Sequence, residues 1–141
     1  MKYLLILSML FSSAYAQIKL TENNTTTIGK VKSMSEFIAE LNYSVAGTDT
    51  TYTLIYADYT YKILEKFGTV SFTGSRTLND LYDIMKKGTD AEFSLGKSKV
   101  TIKAAKFMGA KSVALYVQDE YGIISQMKGL TSKQIDKLFA K

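Results

Sequence analysis

The sequence predicts an α+β fold: an antiparallel β-sheet of about six to eight strands with two helices packed on it. Three observations carry this. Neighbouring segments alternate apolar and polar residues with period two and are joined by short turns rich in Gly and Asp. Only two stretches, residues 77–87 and 131–140, change to the helical period. A doubly wound parallel sheet would need a helix after nearly every strand, and the pattern lacks them.

The first element is a leader. Met1-Lys2 gives a positive start, Tyr3–Phe11 is an apolar run of nine residues, and Ala14-Tyr15-Ala16 precedes Gln17. A charged start, a short apolar stretch and small residues flanking the last-but-one position make a secretory signal peptide over residues 1–16, cleaved between Ala16 and Gln17. A nearly continuous apolar run of nine residues falls short of the roughly 20 that span a bilayer. The chain has no Cys, so lipid attachment through one is not available. The expected product is periplasmic or secreted and has no membrane anchor. Residues 17–27 read as a short polar leader and 28–141 as a single domain, with no internal repeat legible in the sequence.

Within that domain, Phe37, Ala39, Leu41, Tyr43 and Val45 alternate with Ile38, Glu40, Asn42, Ser44 and Ala46, which reads as a half-buried strand. Gly47-Thr48-Asp49-Thr50 turns the chain, and Tyr52, Leu54 and Tyr56 carry the alternation back. The phase slips at Ala57-Asp58, which predicts a β-bulge, after which Tyr59, Tyr61 and Ile63 carry the apolar side. Val70 and Phe72 mark a further strand ended by Gly74. Leu78, Leu81, Tyr82 and Met85 then fall at i, i+3, i+4 and i+7. Thr77 with Asp80 resembles a capping box, Lys86-Lys87 suit the negative end of the helix dipole, and Gly88 stops it. Phe93 and Leu95 face Val100 and Ile102 across a Gly96-Lys97-Ser98 turn. Val113, Leu115 and Val117 make a strand turned by Asp119-Glu120-Tyr121-Gly122 into Ile123–Met127. The last helix opens with a Thr131/Gln134 capping box, has Leu130 placed to staple onto Ile135, and buries Ile135, Leu138 and Phe139.

The closing run Leu130-Thr131-Ser132-Lys133-Gln134-Ile135-Asp136-Lys137-Leu138-Phe139, the hairpin before it and Leu81-Tyr82-Asp83 resemble small exported Gram-negative proteins of unassigned function. That resemblance implies a similar fold and a periplasmic or secreted location, and carries no catalytic residue with it.

Composition removes several chemistries. The 141 residues include no His, Cys, Pro or Trp, so histidine-dependent triads and cysteine nucleophiles are impossible, and common zinc, haem and iron–sulfur sites lack their preferred ligands. No metal, cofactor or catalytic residue is expected. Charge is unevenly distributed: residues 17–85 carry six basic and eight acidic side chains, residues 86–141 eleven and five. Lys97, Lys99 and Lys103 share strand parity opposite Val100 and Ile102, which predicts a basic stripe on an exposed sheet face, continued by Lys106 and Lys111. Such a stripe also guards an edge against aggregation. Tyr43, Tyr52 and Tyr56 share parity with Leu41 and Leu54 and should face the core, whereas Tyr59 and Tyr61 should face water.

The expected function is therefore non-enzymatic binding of a protein or an anionic envelope or glycan ligand through a sheet face, with Lys97, Lys99, Lys103, Tyr59 and Tyr61 as contact residues. No basic–aromatic motif points to nucleic acid. Two alternatives are a small hydrolase using a carboxylate pair or Ser/Lys, with Ser132-Lys133 and the Lys97-Ser98-Lys99 turn as candidates, and an adhesin-like or scaffold protein that self-associates through strand edges.

Overall fold

A computed structural model describes residues 24–60 and 65–141. The signal peptide expected over residues 1–16, its cleavage site, and Tyr61 all lie outside the described residues. The α+β class holds, but the strands form two sheets rather than one. Strands β1 (Thr25–Ser33), β2 (Glu36–Ala46), β3 (Asp49–Ala57) and β4 (Phe67–Thr73) make an antiparallel meander, followed by helix α1 (Ser75–Lys87). Strands β5 (Ala91–Leu95), β6 (Ser98–Phe107), β7 (Ala110–Gln118) and β8 (Ile124–Thr131) make a second meander, followed by helix α2 (Ser132–Phe139). Both halves thus run four strands and then a helix, an order that no sequence repeat announced.

The alternation works as expected in β3 and β7. Leu54 and Tyr56 on β3, and Val113, Leu115 and Val117 on β7, are buried, and their neighbours are not. These side chains join Val100, Ile102, Met127 and Leu130 and the helix residues Leu81, Met85, Ile135 and Leu138 in one apolar cluster fed by both halves. A contiguous core of this kind supplies most of the folding free energy, since stability without disulfides must come from apolar burial.

Strand β1 was not anticipated. Thr25–Thr27, expected in a polar leader, pair with Ser44, Tyr43 and Asn42. Two interruptions hide the strand. The register slips between Thr27 and Gly29 and again between Val31 and Lys32, and each slip breaks the period-two pattern by which a strand is read. At the second slip Ile38 on β2 has no partner, so Ile38 and Ala39 are both buried although adjacent. The bulge expected at Ala57-Asp58 is not one. The β3–β4 register is unbroken to Ala57, where β3 ends, and Asp58 bridges across to Met127 on β8 instead.

The helices also differ slightly from expectation. Helix α1 starts two residues early, after Gly74, with no side-chain cap, so Thr77 and Asp80 lie inside it. Gly88 closes it in the left-handed conformation with Lys86 and Lys87 in the last turn, as expected. Helix α2 has the full reciprocal capping box between Thr131 and Gln134.

Although α2 follows the second sheet, it lies across β1 of the first. The approach is close enough that a Cβ on Gly29 would sit 2.2 Å from the Leu138 carbonyl oxygen. Gly29 is therefore required for lack of a side chain, not for its dihedrals. Substituting Gly29→Ala must push α2 off the first sheet, and we expect a loss of roughly 3 kcal/mol or more in urea unfolding, since overpacking against backbone has no rotamer escape.

Candidate functional site

Two surfaces carry the residues singled out by sequence. The first is the outer face of the second sheet. Lys99, Thr101 and Lys103 on β6 alternate with buried Val100 and Ile102, so the expected parity is correct. Cross-strand rows fill the face: Glu92, Thr101, Tyr116 and Gln126 lie side by side, and Ser94, Lys99, Gln118 and Ile124 form the next row. The stripe is not an unneutralised cation row, however. Lys99 Nζ lies 2.5 Å from Glu92, Lys103 Nζ 3.9 Å from Asp90, and Lys97 Nζ 4.0 Å from Glu120. Lys97 sits in the β5–β6 turn rather than on the strand. The Lys99 ammonium, by hydrogen bond and by charge, holds Glu92 below the usual carboxylate range. Lys106 and Lys111 do not continue the stripe: by register they fall on the opposite parity, near the β6–β7 turn.

Tyr59 is the surface tyrosine expected, with 36% of its area exposed. It lies past β8, with Lys128 Nζ 5.3 Å from its ring centroid, a cation–π distance. Two inter-strand spacings, about 10 Å, separate β8 from the lysines of β6. Lys99, Lys103 and Tyr59 thus border one surface, with Tyr116 and Gln126 between them. Tyr52 and Tyr56 are buried and Tyr43 is half-buried against the core, as their parity predicted.

Sequence reasoning did not identify what positions Tyr59. The Asp58 carboxylate accepts the backbone N–H groups of Thr60 and Gln126, both at 3.0 Å. The Tyr59 N–H donates to the Gln126 carbonyl at 2.7 Å. Tyr56 Oη and Ser125 Oγ meet at 2.5 Å just inside this seam, and burial raises the Tyr56 phenol. Burial alone would raise Asp58 as well, but the backbone donors from Gln126 and Thr60 and the charge of Lys66 outweigh it and hold Asp58 below its ordinary value. The only signal in the sequence was the phase slip.

The second surface joins the helices. Tyr82 on α1 donates to Asp136 on α2 at 2.8 Å, and Lys86 on α1 contacts both Asp136 oxygens, at 2.9 and 3.1 Å. Lys86 also donates to the Ser132 hydroxyl. This is the Ser/Lys proximity a hydrolase would need, made with Lys86 rather than the neighbouring Lys133. A lysine base must be neutral, and that state needs desolvation or a nearby cation. Lys86 instead faces a carboxylate that Lys86 and Tyr82 together keep well ionised. The cluster ties α1 to α2. Asp119, one of the adjacent carboxylates in the β7–β8 turn, accepts the N–H groups of Tyr121 and Ile123 at 2.9 Å and so builds that turn. A depression of about 340 Å³ at the start of α1, lined by Thr48–Thr50, Tyr52 and Thr73–Ser75, contains one carboxylate, Asp49, where glycoside hydrolysis takes two. Among the described residues no group of His, Cys, Asp or Glu is placed to hold a metal ion, and no helix is long and apolar enough to cross a membrane.

No protein-family model, curated protein or solved structure matches the chain.

Because Asp58 and Asp136 ionise more readily folded than unfolded, their contribution is full above the ordinary aspartate value of 3.8 and is lost as pH falls through their lowered folded values. In urea titrations, Asp58→Asn should therefore be less stable than the wild type at pH 7 by about 1–2 kcal/mol. The gap should close towards pH 2.

Proposed function

We propose that the protein is an exported, non-enzymatic binding domain that engages a partner protein through the outer face of its second sheet. The leader motif of residues 1–16 supports export. The observation that carries the binding reading is the charge arrangement on that face. Lys99–Glu92 and Lys103–Asp90 alternate in sign beside Tyr116, Gln126 and Tyr59. A polyanion meets repulsion from Glu92 and Asp90 as well as attraction from the lysines. A protein surface with the complementary alternation satisfies both signs, which fixes register and rejects wrong partners. Tyrosines beside such a pattern add contact area at low entropic cost.

Reversing one pair tests this without disturbing the fold. The double variant Lys99→Glu with Glu92→Lys keeps an ion pair in place and inverts the pattern. Exposed pairs contribute little to stability, so its unfolding free energy should match the wild type within about 0.5 kcal/mol. In pull-downs from envelope extract, a protein retained by wild type and by the remote variant Lys133→Glu should be lost by the inverted pair. Equal retention by the inverted pair would remove this face as the site.

A further inference from the structure

The β6–β7 hairpin outruns its sheet. Pairing with β5 ends at Ile102, and pairing with β8 ends at Ser112. The Asp90 carboxylate accepts the Ala104 N–H at 2.9 Å and closes the β5 side where that strand has stopped. Beyond this point, residues 106–111 pair only with each other. Ala104, Ala105, Lys106 and Met108 to Lys111 are all exposed. At about 3.3 Å per residue, the tip stands about 13 Å beyond Ala104.

Two features of this overhang oppose folding rather than serve it. Lys106 and Lys111 are direct cross-strand partners, and like charges so placed repel. Neither forms an ion pair among the described residues, whereas Lys97, Lys99 and Lys103 each have a carboxylate. The turn between Phe107 and Ala110 is Met108-Gly109, with positive φ at both residues, 50° and 82°. That turn geometry favours Asn-Gly, and an unbranched apolar side chain gains nothing there. Met108 is nevertheless present and 92% exposed.

We infer that the hairpin tip docks on an anionic lipid bilayer, with Met108 entering the headgroup–acyl boundary and Lys106 and Lys111 meeting lipid phosphates. An anionic bilayer resolves both costs together: it supplies charge to two facing ammonium groups and an apolar medium to the side chain between them. A soluble acidic glycan would neutralise the lysines and leave Met108 in water. This surface is separate from the outer sheet face, so the two sites can fail independently.

The chain has no Trp, so Met108→Trp places a single fluorophore at the tip. The chain starting at Gln17 keeps every core residue, since all lie at or beyond Ile28. Its emission should shift to the blue with vesicles of zwitterionic lipid containing phosphatidylglycerol. It should not shift with phosphatidylcholine alone or with heparin, and the shift should reverse at high salt. Without the Trp, the same chain should float with the anionic vesicles, and Lys106→Gln with Lys111→Gln should weaken that partitioning roughly tenfold or more, at about 1 kcal/mol per lysine. The inverted Lys99/Glu92 pair should float like the wild type. An unshifted spectrum with anionic vesicles would overturn the inference, as would flotation unchanged in the double Gln variant. Heparin binding through these lysines without vesicle binding would also overturn it, in favour of a glycan.

Discussion

Everything displayed by this protein depends on how its two sheets are held together, and Asp58 is central to that seam. A four-stranded meander has two edges, and strand edges carry unpaired backbone groups that must be satisfied or exposed to water. Asp58 meets the need by leaving β3 and presenting its carboxylate to the backbone N–H of Gln126 on β8, while the next residue donates back to the same backbone unit. Charge-assisted bonds of this kind are roughly twice as strong as neutral ones. The Thr60 N–H shares the same oxygen and holds the turn that places Tyr59 at the border of the second sheet. Tyr56 continues the seam inward through Ser125, and its ring leaves room on β4 only for Gly68: a Cβ there would lie 2.3 Å from the ring. A further contact between halves is made by α2, which belongs to the second half in sequence and covers the first sheet at Gly29. The two halves are thus interlocked at the strand ends and through the helix, around the apolar cluster they share.

What could be read from the sequence follows from where the chain behaves locally. The later helix was legible because the Thr131/Gln134 box and the Ile135, Leu138, Phe139 stripe act within eight residues or so. The β5–β6 hairpin was legible because Gly96 marks a turn between alternating segments. Strand β1 was not, because its two register slips destroy alternation and its residues are mostly Thr and Lys. Division into two sheets was also invisible, because the break between β4 and β5 holds a helix and looks like any strand-to-strand connection. The slip at Ala57-Asp58 was a true signal with a different cause: a long-range bridge, which one-dimensional periodicity cannot distinguish from a bulge.

The candidate surface shows the same limit. Parity placed Lys99 and Lys103 on the outer face, and Tyr59 in water, correctly. Parity says nothing of partners. Glu92 and Asp90 come from a neighbouring strand and its approach, and they turn an apparent cation stripe into a pattern of alternating sign. Lys106 and Lys111, grouped with that stripe by composition, belong to the opposite parity and to a hairpin that extends beyond its neighbours. Ser132 found its lysine on the other helix, where Asp136 had already claimed the charge. In each case, tertiary pairing decided the chemistry of a side chain whose location was already known.

If the Asp58 seam joins the sheets as argued, opening it requires opening the whole protein. Native-state amide exchange reads this directly, because subglobal units that open alone exchange with lower free energies than the core. The Gln126 and Tyr59 amides should exchange with the same free energy as Leu54 and Leu115 in the two strand centres. Rapid exchange at Gln126 and Tyr59 while both strand centres stay protected would contradict the account, by showing two sheets that open independently.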